Sequence, residues 1–148
     1  MTRSLLVLTL ALSFSACSIV REVKPLAVTN IKDVCIVENP AVREGFINEY
    51  RNTLEQRGYM VEVIAPDSAL NQCPLTSTYT ANWRWDLALY MVYAKIDVYQ
   101  GAKPVGSALY DSKKGGANMK KFVDAKEVIN GLVTELYPAV PNELGGSE

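Results

Sequence analysis

At 148 residues, with 15 lysines and arginines against 16 aspartates and glutamates, the chain has a formal net charge of −1 and no histidine. A balance so near neutrality lacks the basic excess that nucleic-acid binding requires. The missing imidazole removes Ser–His and Cys–His nucleophile systems, together with the usual zinc sites. The first element in chain order is an address label. Met1 to Arg3 carries one charge, on Arg3, and Ser4 to Phe14 is almost wholly apolar. That run is about half of the ~20 residues a membrane helix needs, and it reads as a secretory signal to be set aside from the fold, residues 1–16.

"Phe14-Ser15-Ala16-Cys17" resembles the bacterial lipobox, in which a bulky apolar residue and two small ones precede an acylated cysteine. Phe14 stands where leucine is usual, and a secreted chain cut after Ser15 is the competing reading. The lipobox reading expects lipid on Cys17, palmitate among the acyl chains. Each buried methylene adds about 0.8 kcal/mol of membrane attachment, so two or three chains hold firmly. Ser18 after the cysteine implies sorting to the outer membrane, with the domain in the periplasm. Assigning Cys17 to lipid leaves Cys35 and Cys73, which an oxidising compartment would bridge; two buried thiols are the alternative. Closing that loop would stabilise the fold by about 4 kcal/mol in the chain-entropy model.

Residues 17–30 carry Pro25 and no periodicity, and are expected to be a flexible tether. A single domain should follow over 31–138, with 139–148 a disordered tail. "IKDVCIV" (31–37) predicts a strand. "NPAVREGFINEYRNTLEQRG" predicts a helix, with Asn39 as N-cap, Pro40 in the first turn and Gly58 past the end. Val42, Phe46, Tyr50 and Leu54 form its apolar stripe. "YMVEVI" (59–64) predicts a second strand, and the polar 65–80 stretch a loop. "ANWRWDLALYMVYAKIDVYQ" (81–100) predicts one long interior strand, apolar on both faces at its middle. "VGSALYDS" (105–112) returns beside it. Asp124 and Glu127 form a capping box, and Val128, Ile129, Leu132, Val133 and Leu136 the apolar face of a last helix. The order β-α-β-β-β-α predicts an α+β class: a two-layer α/β sandwich, with a four-stranded mixed sheet and two helices on one face.

"CP-x-T-x-x-Y-T-A-N-W-x-W-D-L-A-x-Y", "YAKIDVY" and "YDSKKGGANMKKF" resemble a family of small Gram-negative lipoproteins of unknown function, the Sbal type. The resemblance runs from Cys17 to about Pro138. It implies an outer-membrane lipoprotein with one α/β domain, and it transfers no catalytic residue.

No cofactor, metal or catalytic set is expected. Ser112 beside Lys113 is a formal dyad, but neighbours on a strand point to opposite faces. Glu62, Asp86 and Asp97 carry no acid–base spacing. Three surfaces remain. Tyr79, Trp83 and Trp85 are a candidate aromatic platform for a small ligand or a cell-wall glycan or peptide, or else they fill the core. Lys113, Lys114, Lys120 and Lys121 flank a Gly pair and could meet phosphate or lipid headgroups, or form a solvated turn. If the helices cover the small-residue face of the long strand, Leu87, Leu89, Met91 and Tyr93 lie on an uncovered face. That patch favours a non-enzymatic assembly module, docking an envelope protein partner or forming a homodimer; an unrecognised hydrolase is the least favoured reading.

Overall fold

The computed structural model describes residues 18–27 and 30–141. The signal segment and Cys17 lie outside the described residues, as does 142–148 of the expected tail. The elements are β1 (Val20–Lys24), β2 (Asp33–Val37), α1 (Glu44–Gln56), β3 (Met60–Ile64), β4 (Leu75–Asp86), β5 (Ala88–Gln100), β6 (Lys103–Asp111), a 3₁₀ turn (Met119–Phe122) and α2 (Ala125–Leu136). The α+β class holds, but the sheet has six strands, not four, in the order β1-β6-β5-β4-β2-β3. It is mixed: β2 runs parallel to both β3 and β4, and the remaining pairs are antiparallel.

Both extra strands have a physical origin. β1 occupies the expected tether, pairing with β6 from Val20 opposite Asp111 to Lys24 opposite Ser107. It is an edge strand with three charges in "VREVK", so it carries no apolar run to betray it. Leu26 then tucks into the core, its N–H donating to the Leu136 carbonyl at 2.9 Å. The long apolar run of 81–100 is two strands rather than one. The chain reverses at Leu87, whose φ of 61° lies in the left-handed region, and Asp86 pairs with Ala88 across the corner. A bulky residue there costs about 1–2 kcal/mol, and the corner itself, Asp86-Leu87-Ala88, offers no glycine or asparagine to signal the turn. β4 also reaches back through "LTSTYT", where a loop was expected.

Helix α1 begins four residues later than its punctuation implies, because Asn39 caps a separate single turn, its carbonyl accepting from the Val42 N–H at 3.0 Å. The Asn39 Oδ1 accepts from the Ala41 N–H at 3.1 Å, closing a turn, while its Nδ2 donates to the Tyr79 carbonyl at 2.9 Å. Phe46, Tyr50 and Leu54 face inward as the stripe requires, and Gly58, at φ 90°, ends the helix. α2 follows its capping residue, Asp124, whose carboxylate accepts from the Lys126 N–H at 3.0 Å. Its five apolar side chains are buried, each stabilising the fold by roughly 1.5–3 kcal/mol. Val140, placed in the expected disordered tail, is buried against Gly58, and its N–H donates to the Arg57 carbonyl at 3.0 Å.

The two helices lie together on one face, over Ile36, Ser77, Tyr79, Ala94, Ile96, Val98 and Ala108. On the opposite face, Thr78 pairs with Asp97, Thr80 with Lys95 and Asn82 with Tyr93. These are polar or amphipathic side chains, half-buried or exposed. At one end of that face, Cys35 and Cys73 form a disulfide, with Cα atoms 6.0 Å apart, beside Val37 and Ile64.

Candidate functional site

The most exposed apolar surface is the β4–β5 corner. β6 ends with Asp111 opposite Tyr93, so the hairpin from about Trp83 to Met91 runs on past the end of β6. At its tip Leu87 is 88% exposed and Trp85 74%, and Leu89 stands 47% exposed beneath them. The tip is braced from the side by the segment following β6. Lys121 Nζ bonds Asp86 Oδ2 at 3.0 Å and donates to the Gly116 carbonyl at 2.9 Å. The bond to Asp86 holds the Lys121 ammonium above its ordinary value, keeping it charged. Phe122 meets the Tyr90 ring edge-on, with centroids 4.9 Å apart. Beside this brace, Met119 is 74% exposed.

Leu87, Leu89, Met91 and Tyr93 do not share one uncovered face. A bulge between Asn82 and Trp83 shifts the register, so that Met91 pairs with Trp83 while Tyr93 pairs with Asn82. One extra residue reverses the alternation beyond it. Met91 is therefore buried in the core beneath the helices, and Tyr93 lies on the polar face with Lys113 Nζ 3.8 Å above its ring. Only the two leucines nearest the corner are exposed.

The aromatic trio is also divided. Tyr79 is buried, stacked on Phe46 at 5.1 Å, and its hydroxyl accepts from the Asn39 N–H at 3.2 Å. Burial pushes the Tyr79 hydroxyl above the usual phenol value. Trp83 packs half-buried against the core, with the Arg43 guanidinium 5.8 Å from its ring, and Trp85 stands in solvent. The carboxylates considered for catalysis do not converge: Asp86 pairs with Lys121, Asp97 with Lys95 at 2.7 Å, and Glu62 sits on β3. Ser112 Oγ is buried and donates to the Val92 carbonyl at 3.2 Å, whereas Lys113 is exposed and pairs with Asp111 at 3.6 Å. Among the described residues no three His, Cys, Asp or Glu side chains are grouped to hold a metal, and no helix is long and apolar enough to cross a membrane.

A second exposed surface went unmarked in the sequence reading. β3 is the sheet edge opposite β1, and its Met60 is 60% and Val63 39% exposed. The available signal was "MVEVI" itself, a strand without lysine or proline to blunt an edge.

No family model matches the chain, and no curated protein does. Two solved structures share its fold. One is a PelC dodecamer from Paraburkholderia phytofirmans in space group P6, 13% identical with a TM-score of 0.55, covering 80% of this chain and 98% of that one. The other is a point variant of the same dodecamer in space group C2, 14% identical with a TM-score of 0.51, covering 78% and 92%. At such identities the likeness is one of fold alone.

Proposed function

We propose that this chain is an outer-membrane lipoprotein, anchored through Cys17, whose periplasmic domain is a non-enzymatic assembly module. It docks another protein chain, which can be a second copy of itself, by adding a strand to β3. The carrying observation is the contrast between the two sheet edges. β1 presents Arg21, Glu22 and Lys24, the charged side chains with which proteins protect an edge from pairing. β3 presents Met60, Val61 and Val63 around one charge, Glu62.

The backbone is also set for pairing. Met60 donates its N–H to the Lys32 carbonyl, and the Ile64 carbonyl accepts from the Glu38 N–H, both at 2.9 Å, so these groups face β2. Alternation turns the N–H and C=O of Val61 and Val63 outward. A strand laid there would satisfy them and cover Met60 and Val63, the mode by which extended segments join sheet edges. The dodecameric state of the two PelC structures with this fold favours self-association as the form that docking takes.

The test is association of the purified full chain in detergent, followed by sedimentation velocity and crosslinking. Val63→Lys and Val61→Pro should each abolish the associated species while leaving the circular dichroism of the monomer unchanged. Retained association in both variants would remove β3 from the account. Palmitate incorporation that disappears in Cys17→Ala, with loss of the protein from the outer-membrane fraction, tests the anchor separately.

A further inference from the structure

We infer that the end of the domain bearing the β4–β5 tip is a bilayer-docking surface, pressed onto a membrane with phosphate-bearing anionic headgroups. Three independent features meet at that end. The first is apolar exposure. Seven large hydrophobic side chains stand exposed among the described residues; Met60 and Val63 are on β3, and the other five, Val20, Trp85, Leu87, Leu89 and Met119, are all here. An exposed tryptophan with leucines at a projecting corner has the chemistry of the lipid interface, where the indole sits at headgroup depth and the aliphatic groups reach the acyl chains.

The second is charge. Arg84 on β4, Lys113 and Lys114 after β6, and Lys120 and Lys121 in the 3₁₀ turn lie about the apolar residues, against Asp86, Asp111 and Glu127, which lines one groove with Lys120. In a chain of net charge −1 this end is thus positive, and the remainder is correspondingly acidic. Lys121 and Lys113 are held by Asp86 and Asp111, which leaves Arg84, Lys114 and Lys120 to meet phosphate. Lysine near an anionic leaflet favours binding by about fivefold per residue.

The third is where the chain enters. Ser18 lies in a groove with Val20, Asp111, Lys113 and Lys114, and Ile19 approaches Gly115 in the loop that braces the tip. Cys17 directly precedes Ser18 in the sequence. A lipid on that residue would leave the molecule at the same end as the tip and the lysines. This third feature rests on the anchor proposed above; the first two do not.

The experiment uses the full chain carrying Trp83→Phe, which leaves Trp85 the one tryptophan of the two in the sequence. Extracted in detergent, it is reconstituted into phosphatidylethanolamine vesicles with phosphatidylglycerol, some lipids brominated on the acyl chains. Trp85 emission should shift to the blue and be quenched by bromine. Adding Leu87→Gly, which suits the positive φ of the corner, should weaken the quenching. Lys114→Glu with Lys120→Glu should lower binding of the unanchored Cys17→Ala chain to anionic vesicles by about tenfold or more. Trp85 emission that stays solvent-like and unquenched, in protein that mass spectrometry shows to be lipidated and vesicle-bound, would overturn the proposal while sparing the anchor. Quenching in protein that lacks lipid at Cys17 would do the reverse.

Discussion

Tyr50, Ser77 and Tyr137 place three hydroxyls in the middle of the core, where each must find a partner. Tyr50 supplies two of those contacts, at 2.7 Å from Ser77 Oγ and 2.7 Å from the Tyr137 hydroxyl. Ser77 also reaches the Asp97 carbonyl at 3.2 Å, and the Tyr137 hydroxyl lies near Ser77 as well as Tyr50. Tyr50→Phe should therefore cost more than Tyr137→Phe: about 1–3 kcal/mol, because it removes the hydroxyl that makes two of these buried bonds, against about 1 kcal/mol for the loss of one bond. Urea unfolding of the two variants checks the order. Burial, aided for Tyr50 by the neighbouring Tyr137, pushes both phenols well above their usual value. A group whose folded pKa is raised stabilises fully below its unfolded value, about 10, and that stability is lost as pH rises through the folded value. Stability should hold through neutrality and fall only above about pH 10, with a shallower fall in the double Phe variant. Gly115 is a different residue-level constraint. A Cβ there would lie 2.9 Å from the Ser112 carbonyl oxygen, which is backbone and cannot rotate away. Gly115→Ala should cost about 1–3 kcal/mol by overpacking, read as a lower thermal midpoint.

At the scale of elements, β2, α1, β3, β6 and α2 were readable because each carries a local signal: β-branched runs in β2 and β3, a return strand after a turn in β6, and one apolar stripe in each helix. What escaped was pairing that periodicity does not encode. β1 has three charges among its five residues, and "TSTYT" looks like loop until β2 and β5 flank it and bury Thr76 and Ser77. The Leu87 corner has no glycine, proline or asparagine, so its two strands merge in the sequence. The bulge at Asn82/Trp83 then defeats any face assignment by counting in twos, and Met91 was misplaced for that reason. The exposed tip residues could be picked out one by one, but their meeting with Met119 and Lys121 depends on contacts more than thirty residues apart. The disulfide was reachable by cysteine arithmetic, and its effect is local. It ties the segment after β3 to the face of β2 across a separation of 38 residues. Cys35→Ser with Cys73→Ser should lower stability by about 4 kcal/mol in the chain-entropy model. It should also open 65–74 to protease, which peptide mapping of the folded protein would locate.

Taken as a whole molecule, the sheet has one sealed edge, and the seal is the segment that composition assigns to a tether. β1 pairs along β6, and Leu26 behind it fills the space beside Leu136 and Gly106. A chain starting at residue 31, the boundary suggested by composition, would lose all of this. Leu26 alone accounts for roughly 1.5–3 kcal/mol of buried area, and β6 would become a second open edge prone to pairing with other copies. The truncated protein should unfold at lower urea and scatter light at concentrations where the longer one does not. The Arg21–Glu135 pair at 2.7 Å spans the same junction, but both side chains are about half exposed. Arg21→Ala should therefore change stability by less than about 1 kcal/mol. That contrast decides what β1 does. If Arg21→Ala is as damaging as the truncation, an ion pair holds the edge strand in place. If only the truncation is damaging, backbone pairing and the Leu26 side chain hold it. In that case the ordered fold begins at β1, ahead of the boundary that composition suggests.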